Sequence, residues 1–533
     1  LEPKEILLPE NLAQEPSLFE TFQDWKKRLK ALPKSRFDFE NGEKRLQEIY
    51  ETKALDAFGF KNQIEIAAAG SIIDYIYLTQ KEALPRLNTP RTMSAEKHLY
   101  MDGATRRNLE IFYTLSNERK ASLLDHMDHT LTACGGRLLA QHLALPLLDL
   151  KALQNRLDLV NFFFEREDVI HNIRTLLSPI PDLERSLSRL SLGRGGPRDL
   201  GAIRLSLHQI SGLRQYLQRL ECTPDSLAKL KSHLGYFEDL LAYLDRALSD
   251  TLPILTRDGN FINLGFMAEL DELIQLRDQG KSHIQALQEK YSQETDIGAL
   301  KIKTNNVLGY HIEVGASHHQ KLDERFIHRQ TTANTMRYTT VELSELEQKL
   351  VSAADQALAL EVRIFENLRD DVLKSAEDLV RAAKAIAAFD VAGSHAYLAR
   401  LEGYVMPALD DSQILEIEGG RHPVVESVLK EARQEAFVPN NCELSQDKSF
   451  WLITGPNMAG KSTFLRQNAL IVIMAQIGSF VPARAAKIGL VDRIFSRIGA
   501  SDDLARGRST FMVEMVETAT ILHQATNKSF VIL

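Results

Sequence analysis

Cysteine is scarce: three in 533 residues, Cys134, Cys222 and Cys442, odd in number and far apart. That pattern argues against a disulfide framework and against a four-cysteine metal site, and makes a reducing cytoplasm the expected setting. Long apolar runs are lacking too, and none approaches the roughly 18 residues of a membrane span. The most apolar stretch, just after residue 461, is interrupted by Arg466, Gln467, Asn468 and Gln476, so no membrane partner is expected. No signal peptide opens the chain. With a net charge of −8 there is no overall basic field, and any contact with nucleic acid must be a local patch. Hydrophobic content of 44% and charged content of 26% are ordinary for globular chains. At about 150 residues per domain, the length predicts three or four domains.

What is present centres on Thr454-Gly455-Pro456-Asn457-Met458-Ala459-Gly460-Lys461-Ser462-Thr463. This satisfies G-x-x-x-x-G-K-[ST], a loop whose backbone N–H groups cradle phosphate oxygens. The preceding Ser449–Thr454 reads as a buried strand, and 462–478 as a helix with a glycine stop. Lys461 supplies charge to β/γ-phosphates, and the Ser462 hydroxyl is placed to ligate Mg²⁺. A nucleoside triphosphate is the predicted ligand. Downstream, Arg506-Gly507-Arg508-Ser509-Thr510 forms a second candidate anion site, with Ser509 opening a helix. The apolar face of that helix is expected to hold Met512, Val516, Ala519 and Leu522. Spacing leaves open whether Ser509 serves its own loop or that of a second copy.

Residues 1–85 mix short helical and strand-like pieces. Phe58, Ile64, Ile66, Ala67 to Ala69, Ile72, Ile73, Tyr75 and Ile76 are expected to cover a small sheet. From about 84 to 280 apolar residues recur at three- and four-residue spacing, as in Leu183, Leu187 and Leu190. Breaks are predicted at Gly135-Gly136, at 179–181 and at Gly195-Gly196-Pro197, and Asp182 is read as a helix cap. Two long helices then flank an insert. The first carries Phe266, Leu270, Leu273, Ile284, Leu287 and Tyr291. The second carries Leu343, Leu346, Leu350, Ala353, Ala357, Leu360 and Ile364, alternating steps of three and four, the seam of paired helices. An antiparallel pair with the insert at its tip is the economical arrangement.

The insert, about 299–340, is strand-like. Between 301 and 340 it has six Lys/Arg (Lys301, Lys303, Lys321, Arg325, Arg329, Arg337) against Glu313, Asp323 and Glu324. A basic tip in an acidic chain suits a polyanion backbone. Its histidines lack metal-ligand spacing, so zinc is not expected. Helix resumes to about Leu401. Ile414–Ile417 reads as a strand and Gly419-Gly420-Arg421-His422-Pro423 as a loop, with a nucleotide domain starting near 409. Phe530–Leu533 reads as an apolar strand. The chain starts with Leu1, not Met, and stops inside this strand, so both ends are expected to be cut from a longer chain. The acid that holds Mg²⁺ in such sites should follow the strand, so the hydrolysis site is expected to be incomplete.

TGPNMAGKST, IGSFVPA (477–483), DRIFSRIGASDDLARGRSTFMVEM (492–515) and EGGRHPVVE (418–426) closely resemble the bacterial MutS family of DNA mismatch repair ATPases. MDGATRRNLEI (101–111), RQTTANTMRY (329–338) and PRDL (197–200) extend the resemblance over essentially the whole chain. It implies a multidomain α+β and α/β protein. Residues 1–85 resemble part of a connector domain, 86–280 a helical core and lever, and 281–342 an inserted β clamp. Residues 343–408 resemble the returning lever, and 409–533 a P-loop ATPase domain of ABC type, truncated before its acid. The resemblance further implies ATP/ADP with Mg²⁺, held by Gly455, Pro456, Asn457, Met458, Ala459, Gly460, Lys461, Ser462 and Thr463. It implies an adenine stack on Phe437, in an F-x-x-N context with Asn440, and action of Ser509 in trans. Asn334 and Arg337 are the implied DNA contacts. Mismatched double-stranded DNA, a second copy in a homodimer and the downstream repair protein MutL are the implied partners, in a nucleoid-associated cytoplasmic setting. The family's mismatch-reading domain is absent from the sequence. A recombination-suppressing relative that binds branched DNA is the alternative within the family. An SMC-like bridging protein needs far longer arms, and a transport ATPase has no use for levers with a basic tip.

Overall fold

In a computed structural model the described residues are 3–18, 22, 25–80, 87, 90, 97–305, 308–332, 335–457, 459–497, 515, 518–519 and 521–533. The chain divides into two compact units. One comprises Leu1–Gly193, Leu205–Tyr236 and Ala376–Leu533, the other Arg194–Arg204 and Phe237–Ser375.

The first unit begins with a two-stranded parallel sheet, β1 (Ile6–Pro9) and β2 (Leu29–Leu32). Two helices follow, α1 (Phe39–Ile49) and α2 (Gln63–Gln80). They approach so closely that a Cβ on Gly70 would lie 2.3 Å from the Cα of Gly42. Leu46, Leu55 and Ile73 form the local core. The apolar residues of this stretch therefore build a helix that packs on α1 and do not cover a sheet, and Ile64 and Ile72 face solvent. Gly42 and Gly70, which carry no Cβ, permit this close crossing.

After β3 (Tyr100–Met101) come six helices. They are α3 (Gly103–Asn108), α4 (Leu123–Met127), α5 (Ala133–Ala144), α6 (Leu150–Glu165), α7 (Glu167–Leu177) and α8 (Leu183–Ser191). Five of them start on a short polar side chain that accepts from the backbone of their own first turn. These caps are Asp102, Ser122, Thr132, Asp149 and, as read from sequence, Asp182. Each such cap stabilises its helix by about 1 kcal/mol. Gly135-Gly136 is no break: both residues lie inside α5. The glycine is needed because buried Asp390 sits where a Cβ of Gly135 would be, 2.1 Å from Oδ2. That carboxylate accepts from Leu131 N, Thr132 N and Thr132 Oγ1. Helix α9 (Pro197–Gln218) begins after Gly195-Gly196 with proline at its first position, where no intrahelical N–H is lost.

The second unit is dominated by α10 (Ala268–Thr295) and α11 (Val341–Lys374), with four strands between them. The helices are antiparallel. Gly280 lies against Leu350, and eleven residues on, the Tyr291 hydroxyl meets Thr340 Oγ1 at 2.8 Å. Leu343, Leu350, Ala353, Ala357, Leu360 and Ile364 are all buried, as the seam spacing requires. Strands β4 (Lys301–Asn305), β5 (Gly309–Gly315), β6 (Ile327–Thr331) and β7 (Thr335–Thr339) form an antiparallel sheet in the order β4-β5-β7-β6. Ile284, Leu287 and Tyr291 of α10 share a core with Ile312, Val314, Phe326 and Tyr338 of this insert. The tip is thus anchored by apolar packing.

The chain returns to the first unit with α12 (Ala376–Glu402), buried along most of its length. Strands β8 (Ala408–Asp410) and β9 (Leu415–Gly420), helix α13 (Pro423–Glu431) and β10 (Asn440–Leu444) follow. Gly419 and Gly420 end β9, and His422 caps α13, so the expected loop shrinks to Arg421-His422. Then come α14 (Lys461–Gln476), β11 (Ala485–Gly489), β12 (Arg493–Ser496) and β13 (Phe530–Ile532). One sheet runs β10-β9-β11-β8; in the other β12 is parallel to both β13 and β3.

Burial lowers the pKa of several histidines of this unit, His142 and His129 among them. Burial pushes His126, bonded to the Tyr404 hydroxyl at 2.8 Å, down to about 4. It pushes His395 down to about 3 and His422 to about 4. Their ordinary value is 6.5, so at pH 4–6.5 the unfolded chain binds more protons than the folded one, and stability rises with pH. Chemical denaturation should show full stability above pH 6.5 and a steep loss as pH falls towards 4. His395→Leu should flatten that slope, because neither ring nitrogen of His395 has a hydrogen-bond partner to lose.

Candidate nucleotide site and polyanion face

The phosphate-loop sequence turns into α14 through Gly460, which lies at φ +84° as the N-cap. Glycine takes that left-handed geometry without steric cost. It brings no capping side chain, and the first N–H groups of any helix lack intrahelical acceptors. Lys461 Nζ folds back over the loop, donating to Gly455 O at 2.6 Å and Pro456 O at 2.8 Å. The ammonium, the open helix end and the exposed Ser462 and Asn457 thus share one small region. Its donors are all cationic or N–H and O–H groups, the chemistry that a polyphosphate with a divalent cation requires.

The strand expected at Ser449–Thr454 is not formed, and Phe450 and Leu452 are about four-fifths exposed at 79% and 80%. Parallel strands need ladder partners, and both edges of β12 are already taken by β13 and β3. Trp451 instead stacks on Phe464 of α14, ring centroids 6.3 Å apart. Phe437 is half-buried in an irregular segment before β10, where Asn440 Nδ2 donates to Val438 O. No other aromatic ring stacks on it among the described residues. Met458, Ser509 and Asn334 lie outside the described residues, as do Met512 and Val516. Of the face predicted after Ser509, Ala519 and Leu522 are exposed and Ile521 is the buried residue.

From its far end α14 is held rigidly. Gln476 Nε2 donates to Leu147 O and Val491 O, its Oε1 accepts from Val491 N, and its own carbonyl accepts from Leu147 N. Arg156 donates to Ile477 O, and burial lowers its guanidinium to about 10. Gly478, at φ +82°, ends the helix; a Cβ there would stand 2.5 Å from Arg156. Nearer the loop, Arg466 pairs with Glu110 at 3.2 Å. Nothing in the sequence around Glu110 marks it for this pairing, since an acid after an apolar residue carries no signal by itself.

In the second unit the basic tip is largely neutralised. Lys303 Nζ donates to Glu313 at 2.6 Å, and Arg337 lies 3.7 Å from the same carboxylate and donates to Gln330. The Lys303 hydrogen bond holds the Glu313 carboxyl below its ordinary range. Lys321 pairs with Asp296, and Arg325 with Asp323 and Glu294. Glu294 lies in the last turn of α10 and Asp296 is its C-cap, both before residue 301. Lys301 and Arg329 are exposed with no ion pair among the described residues.

Residues 1–88 match the family model of MutS domain II, 104–396 that of MutS domain III and 451–533 that of MutS domain V. The DNA mismatch repair protein MutS of Roseobacter denitrificans is 47% identical over 541 residues, covering 100% of this chain and 61% of its own length. That of Rhizobium meliloti is 47% identical over 544 residues, covering 100% and 59%. That of Dinoroseobacter shibae is 48% identical over 539 residues, covering 100% and 61%. The chain thus spans about three-fifths of the length of these relatives.

Because Glu313 neutralises two cations at once, Glu313→Gln should move elution from a heparin column to higher salt. An unchanged elution point would mean that Lys303 and Arg337 do not face the polyanion.

Proposed function

This chain belongs to the MutS family, and from that premise we propose that it is part of a DNA mismatch repair ATPase that binds duplex DNA. Nucleotide binding in the first unit switches how the insert of the second grips the duplex. The observation that carries the reading is Lys461 folded onto the loop carbonyls beside an uncapped helix N-terminus. When bound, Mg²⁺ supplies charge neutralisation between phosphate oxygens. In this reading Lys461 binds β/γ-oxygens, and the Ser462 hydroxyl holds the metal. Backbone N–H groups of residues 455–463 orient the phosphates, and Phe437 offers its ring face to adenine. Ser509 acts across a homodimer on the partner's γ-phosphate.

DNA is the regulated partner and not a chemical substrate. Arg329 and Lys301 are the exposed cations of the insert that make no ion pair among the described residues, and Asn334 and Arg337 are the contacts carried over from the family. Such contacts meet phosphates and hold position without reading sequence. MutL is the downstream partner in this scheme, and the setting is the cytoplasm at the nucleoid.

Two measurements test the proposal on the protein expressed from its complete gene. Lys461→Ala should abolish binding of a fluorescent ATP analogue and nucleotide-dependent release from DNA; release at the unsubstituted rate would sink the switch. Arg329→Ala or Arg337→Ala should weaken binding to matched and mismatched duplexes by the same factor. A loss confined to mismatched DNA would contradict a phosphate-contact role.

A further inference from the structure

We propose that Glu110 is a positioning residue that reports occupancy of the phosphate loop to the helical core, acting through Arg466. The inference rests on the nucleotide reading of the loop. Arg466 is the residue of α14 four positions after Ser462, and its partly buried guanidinium reaches Glu110 at 3.2 Å. Beyond it the helix is immobilised by Gln476 and Arg156. A shift of the first turn towards bound phosphate therefore cannot pass along the axis and is taken up sideways, at Arg466.

The receiving side is built for this. Glu110 is a non-glycine residue held at φ +52°, a conformation that L side chains adopt only when the surroundings impose it. Its backbone bonds to Arg107 O and accepts from Leu123 N, which ties it to α3 and α4 together. Its carboxylate is divided between Leu115 N, at 2.8 Å, and Arg466. On α3, Asn108 Nδ2 donates to Ser496 O at 2.8 Å, and Thr105 Oγ1 accepts from Ser496 N at 3.0 Å. One short helix and the turn after it thus grip both the phosphate-loop helix and the end of β12. Arg466 Nε is buried without a hydrogen-bond partner. The pair makes only one of the two parallel bonds open to arginine and carboxylate, so a small rotation of the first turn has a second bond to gain.

The test uses the protein expressed from its complete gene, with two readouts: affinity for a fluorescent ATP analogue, and ATP-induced change in amide hydrogen exchange over residues 103–124. In Glu110→Gln, affinity should stay within twofold while the exchange response shrinks at least fivefold. Arg466→Lys, which keeps the charge and loses the fork, should retain a partial response and guards against a folding failure in the first variant. A full response in both variants overturns the relay. So does a tenfold loss of affinity with an unchanged response per bound nucleotide, which would make Glu110 part of the binding site. If the unsubstituted protein binds no nucleotide, the loop reading itself fails and the relay with it.

Discussion

Gln476 is buried completely, yet all its hydrogen-bonding capacity towards Leu147 and Val491 is met. A buried amide left unmatched costs several times what a matched one contributes, so these bonds fix the depth and rotation of α14 in its unit. Ala469 to Gln476 are all buried around it. The other end of the same helix carries the exposed loop with Lys461. The position of the phosphate-loop sequence is therefore a property of the core, set fifteen residues along the helix from Lys461.

The core that receives this helix is tied by a few buried polar groups as well as by leucine packing. Asp390, wholly buried on α12, satisfies the backbone at Leu131 and Thr132 and requires glycine at 135. In the second unit Glu361 does similar work, accepting from Asn260 N at 2.8 Å and Phe261 N at 3.1 Å. Each carboxylate replaces several long-range apolar contacts by hydrogen bonds of fixed direction, which makes for a single register. These are the positions where a change of one atom is felt across the unit.

Charge at the tip of the second unit shows how composition and arrangement differ. Six basic residues against three acids describe a cationic segment, but four of the six are held by acids, two of which belong to the helix beneath. A surface so arranged attracts a polyanion weakly at a distance and becomes strongly cationic only where its internal pairs are exchanged for phosphates. That arrangement follows from geometry that no count along the chain contains.

Much of this protein was determined by its sequence alone. The seam of Leu343, Leu350, Ala357 and Ile364, the cap at Asp182, the glycine at 460 and the strand-rich insert each follow from rules that act within a few residues. The local physics of periodicity, capping and left-handed backbone leaves them little choice. The family, too, was legible, in TGPNMAGKST and its companions. Tertiary structure alone decided the rest. It paired α2 with α1 through Gly42 and Gly70, and it put Gly135 inside a helix because Asp390 lies 255 residues away in the chain and beside it in space. It left 449–454 without ladder partners and gave Glu110 a place against Arg466. In each case the deciding contact joins residues far apart in the chain, and nothing in the local pattern at either residue records the other.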